Sequence, residues 1–448
     1  MDRILSAKSS ILCAVTFGLL VLTTAGQAAD LSPHKITTAN GITLLVLEQH
    51  FLPIVEVHAL IKAGSVQDPP EKAGLANLVA SLLDEGTTNR SSKQLAEQID
   101  FVGGSLDARA SEDFTTTSAR VLRKDVDLGF TLLADILMHP AFPKQEFERV
   151  RSQVLGEIAS DNDDPGVVAL KAFNQLVFHN HPYRWPIAGT AETLNRVTLA
   201  DVQSFYAKEY VPNQVILAVV GDITVEEAEM LVQTHFGSWK KGVPQGRTLK
   251  QPRPIEKKTV QFIEKDLSQS TIVLGHGGIS RTNPDFYAVT VMNQILGAGG
   301  FASRLMDSIR DKQGLAYSIV SHYDARAMPG SFWVSLQTKT DSTNQAINGV
   351  MAEIKAIRES PVTDQELSEA KSFLMGSFPL RLDSTGKLAR VLAQVEYFGL
   401  GFEYFNQYPK WIDRVSKEDV QRVAKQYLDP ARYALVVVGN ITKAKIRQ

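Results

Sequence analysis

The sequence predicts an α+β protein built from two tandem copies of one α/β-sandwich domain. The first observation behind this is an internal repeat. Val197-Thr198-Leu199-Ala200-Asp201-Val202-Gln203 matches Val415-Ser416-Lys417-Glu418-Asp419-Val420-Gln421. The same offset, 218 positions from Gly221 to Gly439, pairs Pro212 with Pro430, Leu217 with Leu435, and Val219-Val220-Gly221-Asp222-Ile223-Thr224 with Val437-Val438-Gly439-Asn440-Ile441-Thr442. The second is the order of elements. Each copy opens with two β-branched runs, passes into helical periodicity, returns to strands and then runs through further helices, a mixed order that suggests helices laid on one sheet face.

In the first copy, 38–48 and 54–63 read as strands around Asn40-Gly41, and 74–84 reads as a helix. A helix at 92–102, strands at 105–110 and 114–120, and helices at 125–138 and 144–161 follow, with Pro140 and Pro143 between the last two. Asp164-Pro165 closes one helix and opens the next at 166–178, Thr198 caps 199–210, 214–221 is a buried strand, and Thr224 caps 225–236. The second copy repeats the plan with strands at 258–263 and 270–276, helices at 284–296 and 303–312, strands at 315–324 and 330–338, and helices at 342–358 and 363–376. These limits divide the chain into a first domain at 30–239, a linker at 240–255 rich in Lys, Gly and Pro, and a second domain at 256–448.

Residues 1–29 read as an export signal. Arg3 and Lys8 precede an apolar run, and small residues follow, with cleavage expected after Ala28 or Ala29 and the bacterial periplasm as the expected destination. The sole cysteine, Cys13, lies inside that signal, so the mature chain has no disulfide and no thiolate ligand. Lys+Arg 47 against Asp+Glu 49 gives no basic surface to attract nucleic acid or an anionic membrane, and no partner of either kind is expected.

The stretch 74–87 has the form of a metal-site helix without the metal chemistry. A His-x-x-Glu-His helix holds zinc through imidazoles four residues apart and uses its Glu as general base. Here the three places are Asn77, Ala80 and Ser81. An amide, a methyl and a hydroxyl do not make a zinc site.

Several pieces together resemble the insulinase-like metallopeptidase family, which includes pitrilysin and the mitochondrial processing peptidase, over nearly all of the mature length. They are Gly64-Ser65, Gly74-Leu75-Ala76, Asp84-Glu85-Gly86-Thr87, His181-Pro182-Tyr183 with Gly189-Thr190, Val219-Val220-Gly221-Asp222, Ser303-Arg304-Leu305, and Arg310 with Gly314-Leu315-Ala316-Tyr317-Ser318. The resemblance implies two homologous domains facing each other as a clamshell. It also implies that Asn77, Ala80 and Ser81 replace the zinc histidines and base, while the third ligand position survives as Glu157, which alone holds no metal and reads as a helix-surface residue. Arg310 and Tyr317 match the family's substrate-contacting pair. By themselves they would read as a residue complementing a helix dipole and an amphipathic packing residue. In register with the family motif, they are expected to donate to a peptide carbonyl and to negative charge developing on its oxygen. Gly299 and Gly300, in the loop 297–300, are weaker candidates for peptide contact.

The implied function is that of a zinc-free subunit, inactive alone, of an exported heterodimeric peptidase. This chain holds no cofactor, and zinc is carried by a homologous partner subunit. The alternative is a catalytically dead assembly or peptide-binding homologue. His179-Asn180-His181 reads as a loop before Pro182, and no Gly-x-Ser-x-Gly elbow supports a serine hydrolase.

Overall fold

Runs of Val, Ile, Leu and Thr form the strands, and glycines break them. The computed structural model describes residues 31–243 and 249–446; the predicted signal at 1–29 and part of the predicted linker lie outside the described residues. In chain order the first half contains β1 (His34–Thr37), β2 (Thr43–Glu48), β3 (Ile54–Ile61), α1 (Leu75–Ser81), α2 (Ser92–Phe101), β4 (Ser105–Ala110), β5 (Thr115–Leu122), α3 (Val126–Met138), α4 (Lys144–Asp161), α5 (Pro165–Val177), α6 (Ala191–Asn195), α7 (Leu199–Glu209), β6 (Val215–Gly221) and α8 (Val225–Phe236). The second half contains β7 (Thr259–Glu264), β8 (Gln269–Gly277), α9 (Phe286–Asn293), β9 (Ala316–Asp324), β10 (Ser331–Lys339), α10 (Thr343–Glu359), α11 (Asp364–Ser377), α12 (Thr385–Tyr397), α13 (Tyr404–Asp413), α14 (Lys417–Tyr427), β11 (Ala434–Gly439) and α15 (Ile441–Ala444). Of the strand expected at 38–48, only Thr43–Glu48 (β2) is extended; residues 38–42 form the turn of a hairpin with β1, made at Gly41 with φ +92°.

The first sheet runs β1-β2-β6-β3-β5-β4 and the second β7-β11-β8-β10-β9. Without β1, the two orders coincide. So do the one parallel pair in each, β2 with β6 and β7 with β11. The repeat seen in the sequence has a local physical cause in both copies. Thr198 with Asp201, and Ser416 with Asp419, form capping boxes that start α7 and α14. Gly221 and Gly439 end the strands at φ +141° and +155°. A β-carbon at Gly221 would lie 2.0 Å from the Ile54 carbonyl oxygen, and one at Gly439 2.9 Å from that of Gln269.

Packing does not follow chain order. One face of the first sheet, through Val55, Val57, Ala59 and Ile61, is buried with α1 and α3 in the first core. The other face is covered by α12, from the second half. Reciprocally, α5 lies on β8 and β11, where Ala169, Ala172, Phe173 and Val177 pack with Val273, Ala434, Val436 and Val438. Full burial of a side chain such as Phe173 stabilises by roughly 1.5–3 kcal/mol. The expectation of helices on one sheet face therefore holds for neither sheet, since each takes its second cover from the other half. Lys35 on β1 pairs with Glu396 on α12 at 2.6 Å. The Tyr183 hydroxyl and the Ala327 amide both donate to Asp113, at 2.6 and 3.0 Å, which ties the halves at a second point.

The α12 interface is polar at its centre. Glu56 and His58, on the covered face of β3, are both buried. Burial pushes the Glu56 carboxyl up to about 7, against the opposing pull of Arg120 and Arg390 and a hydrogen bond from Ser118. Burial holds the His58 imidazole down at about 4. Among the described residues, no helix is long and apolar enough to cross a membrane.

Candidate functional site

Helix α1 is shorter than the expected 74–84 and is fastened from outside itself. Gly74 precedes it at φ +102° with no side-chain cap of its own. The buried Asp68 carboxylate takes that role, accepting from the Gly74 and Ala76 amides at 2.9 Å each. Leu75, Leu78, Val79 and, just past the helix, Leu82 and Leu83 are in the first core. Ala80 is fully buried, while Asn77 and Ser81 lie half-buried on a common face. Glu157 stands exposed on α4 and accepts a 3.1 Å hydrogen bond from Gln153 one turn earlier, a helix-surface arrangement. An amide, a hydroxyl and one solvated carboxylate do not fit zinc, and no group of three or more His, Cys, Asp or Glu among the described residues is placed to hold a metal ion.

The helical stretch between the second and third strands of the second half takes a different form. The helix expected at 284–296 becomes α9 followed by a π-helical turn, Gln294–Ala298. The one expected at 303–312 is π-helical over Met306–Lys312. Wide turns of this kind are rare and concentrate at functional sites. Between them, Gly300 sits at φ +57° and presents Phe301 to solvent. The buried Ser303 hydroxyl donates back to the Gly300 carbonyl at 2.7 Å. Arg304 anchors the segment through a two-pronged pair with Glu366 on α11, at 2.6 and 3.0 Å.

Arg310 rises from the second π segment and lies between two exposed rings. Its guanidinium carbon is 4.7 Å from the Phe301 ring centre and 5.5 Å from that of Tyr317. Gly314, at φ +61°, makes the turn that brings Tyr317 onto the start of β9. Tyr317 is 87% exposed and Phe301 71%. β9 is an edge strand of the second sheet, and a groove of about 520 Å³ runs along Gly314–Ser318 and Ser335–Lys339.

Thus Arg310, Tyr317 and the loop of Gly299 and Gly300 are brought together by Phe301, whereas Asn77, Ala80, Ser81 and Glu157 lie on helices of the first half. Phe301 escaped the sequence reading. Its signal was a large apolar residue directly after a glycine-rich loop, where a core residue has no reason to be. His181 is buried, and its Nδ1 accepts from the Tyr183 amide as part of the Phe178–Tyr183 packing, as a loop residue rather than a ligand.

Residues 44–191 match the model of the insulinase family, peptidase family M16, and residues 196–374 match that of the peptidase M16 inactive domain. An uncharacterized zinc protease of Mycobacterium leprae is 30% identical over 420 residues, covering 91% of this chain and 92% of its own. The chain belongs to the insulinase-like peptidase family. A Helicobacter pylori relative described as a non-peptidase homolog is 27% identical, covering 94% of this chain and 96% of its own. The crystal structure of a peptidase M16 inactive domain from Pseudomonas fluorescens superposes with a TM-score of 0.86 at 28% identity, over 91% of this chain and 97% of its own. Two tandem M16 domains with one mixed sheet each are the fold of that family, and this chain is an inactive member of it.

Proposed function

We propose that this chain is the zinc-free subunit of an exported heterodimeric peptidase, in which a homologous partner carries the zinc and this chain supplies Arg310 and Tyr317 to the bound peptide. The observation that carries the reading is the contrast between a base position closed into the core at Ala80 and a cluster beside an open sheet edge in which the exposed Phe301 and Tyr317 flank Arg310. A peptide lying along such an edge exchanges main-chain hydrogen bonds with it, and the always-charged guanidinium and the phenol then donate to its carbonyl oxygens. Phe301 packs against a peptide side chain in this arrangement. The export signal read at 1–29 supports a periplasmic location for the pair.

A second reading draws on the Helicobacter relative described as a non-peptidase homolog: a chain that binds peptide or assists assembly with no part in hydrolysis. Mixing the mature chain with a zinc-bearing homologue from the same source separates the two. Under the first reading, peptide hydrolysis appears in the mixture and not with this chain alone, and Arg310→Ala lowers it while the complex still assembles. Hydrolysis by the partner that is indifferent to Arg310→Ala and Tyr317→Phe supports the second reading.

A further inference from the structure

A second cavity in the C-terminal half takes no part in the site above. It measures about 220 Å³ and is walled by α9, α12, α13 and the segment Phe378–Arg381. Its apolar wall is an aromatic stack. Phe378 lies on Tyr408 with ring centres 4.2 Å apart, and Tyr404 stands 5.8 and 5.7 Å from the two. Two guanidiniums reach it. That of Arg281 sits 3.8 Å from the centre of the Phe286 ring and 5.6 Å from that of Tyr404, and that of Arg381 lies 5.7 Å from Tyr408.

The cavity has no compensating charge. No aspartate or glutamate lines it. Each guanidinium meets a phenol, Arg281 that of Tyr287 and Arg381 that of the buried Tyr408. A guanidinium carries five N–H donors, so one phenol apiece leaves donors over in a cavity that offers no carboxylate. A structural device for covering an aromatic core needs one cation over a ring; this cavity holds two.

We propose that this cavity binds a carboxylate with an apolar body of about one ring or one branched chain, the carboxylate between Arg281 and Arg381 and the body against Phe378, Tyr404 and Tyr408. A cavity of ~150 Å³ lined by apolar side chains is enough to hold benzene, so 220 Å³ admits a ring with a short acid arm. Paired guanidiniums select a carboxylate over a neutral amide of the same shape. The far side of α12 rests on the first sheet, so the occupant closes against a helix that joins the halves.

The source of the carboxylate is either a free acid or the C-terminal residue of a peptide. Calorimetric titration of the mature chain with 3-phenylpropionate, 3-phenylpropionamide, Ala-Ala-Phe and the Ala-Ala-Phe amide tests the proposal and distinguishes the sources. The acid is expected to bind at least tenfold more tightly than its amide, and Arg281→Gln and Arg381→Gln each to weaken the acid tenfold or more. Val391→Phe fills the cavity and leaves both guanidiniums in place; it is expected to abolish binding. Binding of Ala-Ala-Phe but not of its amide identifies a peptide terminus as the source, and binding of 3-phenylpropionate alone identifies a free acid; both support the site. Equal affinity for acid and amide, or acid binding unaffected by Val391→Phe, overturns it. The acid-to-amide ratio on the unmutated chain decides even where an arginine variant loses its fold.

Discussion

The first sheet and the second are wired alike, β2-β6-β3-β5-β4 against β7-β11-β8-β10-β9, yet the chain that leaves β3 and the chain that leaves β8 have opposite characters. After β3 comes a short regular helix in which Asn77 and Ser81 are half-buried and Ala80 is buried, packed through Leu78, Val79 and Leu82. After β8 comes a helix loosened twice into π turns, which leaves Phe301 and Tyr317 exposed on either side of Arg310. The same topological position thus turns inward in one half and outward in the other. α1 is held in place because the core needs its apolar face. Strained or irregular backbone is retained where it aims side chains at something outside the chain.

That contrast can be broken most sharply at α1. Leu78→Ala removes a fully buried side chain and is expected to lower stability by about 3 kcal/mol, read from denaturant midpoints, with no selective effect on peptide contact once the chain is folded. On the other side, Arg310→Ala is expected to leave the midpoint nearly unchanged and, in the complex with a zinc-bearing partner, to lower kcat/KM by about 100-fold, the usual result of deleting one charge-stabilising donor. If that variant instead unfolds the chain while hydrolysis by the surviving fraction is normal, the cluster is structural and the contrast collapses.

The cover of the first sheet sharpens it further. Because burial raises the folded-state pKa of Glu56 above its unfolded value, the folded chain binds the extra proton. The contribution of Glu56 to stability is therefore lost as pH rises from about 4.5 through about 7 and is level above that, while His58, held down by burial, contributes in the opposite sense. Glu56→Gln is expected to remove the Glu56 share, gaining on the order of 2 kcal/mol at pH 8 relative to pH 4.5 against the unmutated chain, as measured by urea denaturation at the two pH values. The apolar contact of α5 with the second sheet predicts no such dependence. Tyr317→Phe, which keeps the ring and deletes the hydroxyl, is expected to cost about tenfold in kcat/KM, roughly 1.4 kcal/mol, with no change in peptide-independent assembly. Asn77→Ala is the smallest, within about 0.5 kcal/mol by thermal midpoint, as befits a half-buried residue outside any metal site.

Most elements were legible because their signals are local. Asp164-Pro165, Thr198 and Thr224 cap their helices as read, and α4 runs over the expected residues. The register of Arg310 and Tyr317 was legible from the Gly314 turn between them. The π turns were not, since a π bulge differs from an α turn by one hydrogen-bond register and leaves little trace in periodicity. Phe301 was missed because its exposure depends on the backbone around Gly300. The Arg281–Arg381 cavity was invisible because its walls come from two chain segments, around Arg281–Thr290 and Phe378–Tyr408, far apart in sequence.

By itself, the sequence determined the duplication and the element types, which rest on residue identity and short-range capping or strand chemistry. Only the tertiary structure decided that α5 and α12 trade sheets, that Glu56 and His58 are buried where they trade, and that Ala80 is closed while Tyr317 is open. Those outcomes depend on which surfaces meet across long chain separations, where apolar area is exchanged between halves and no single stretch records the partner.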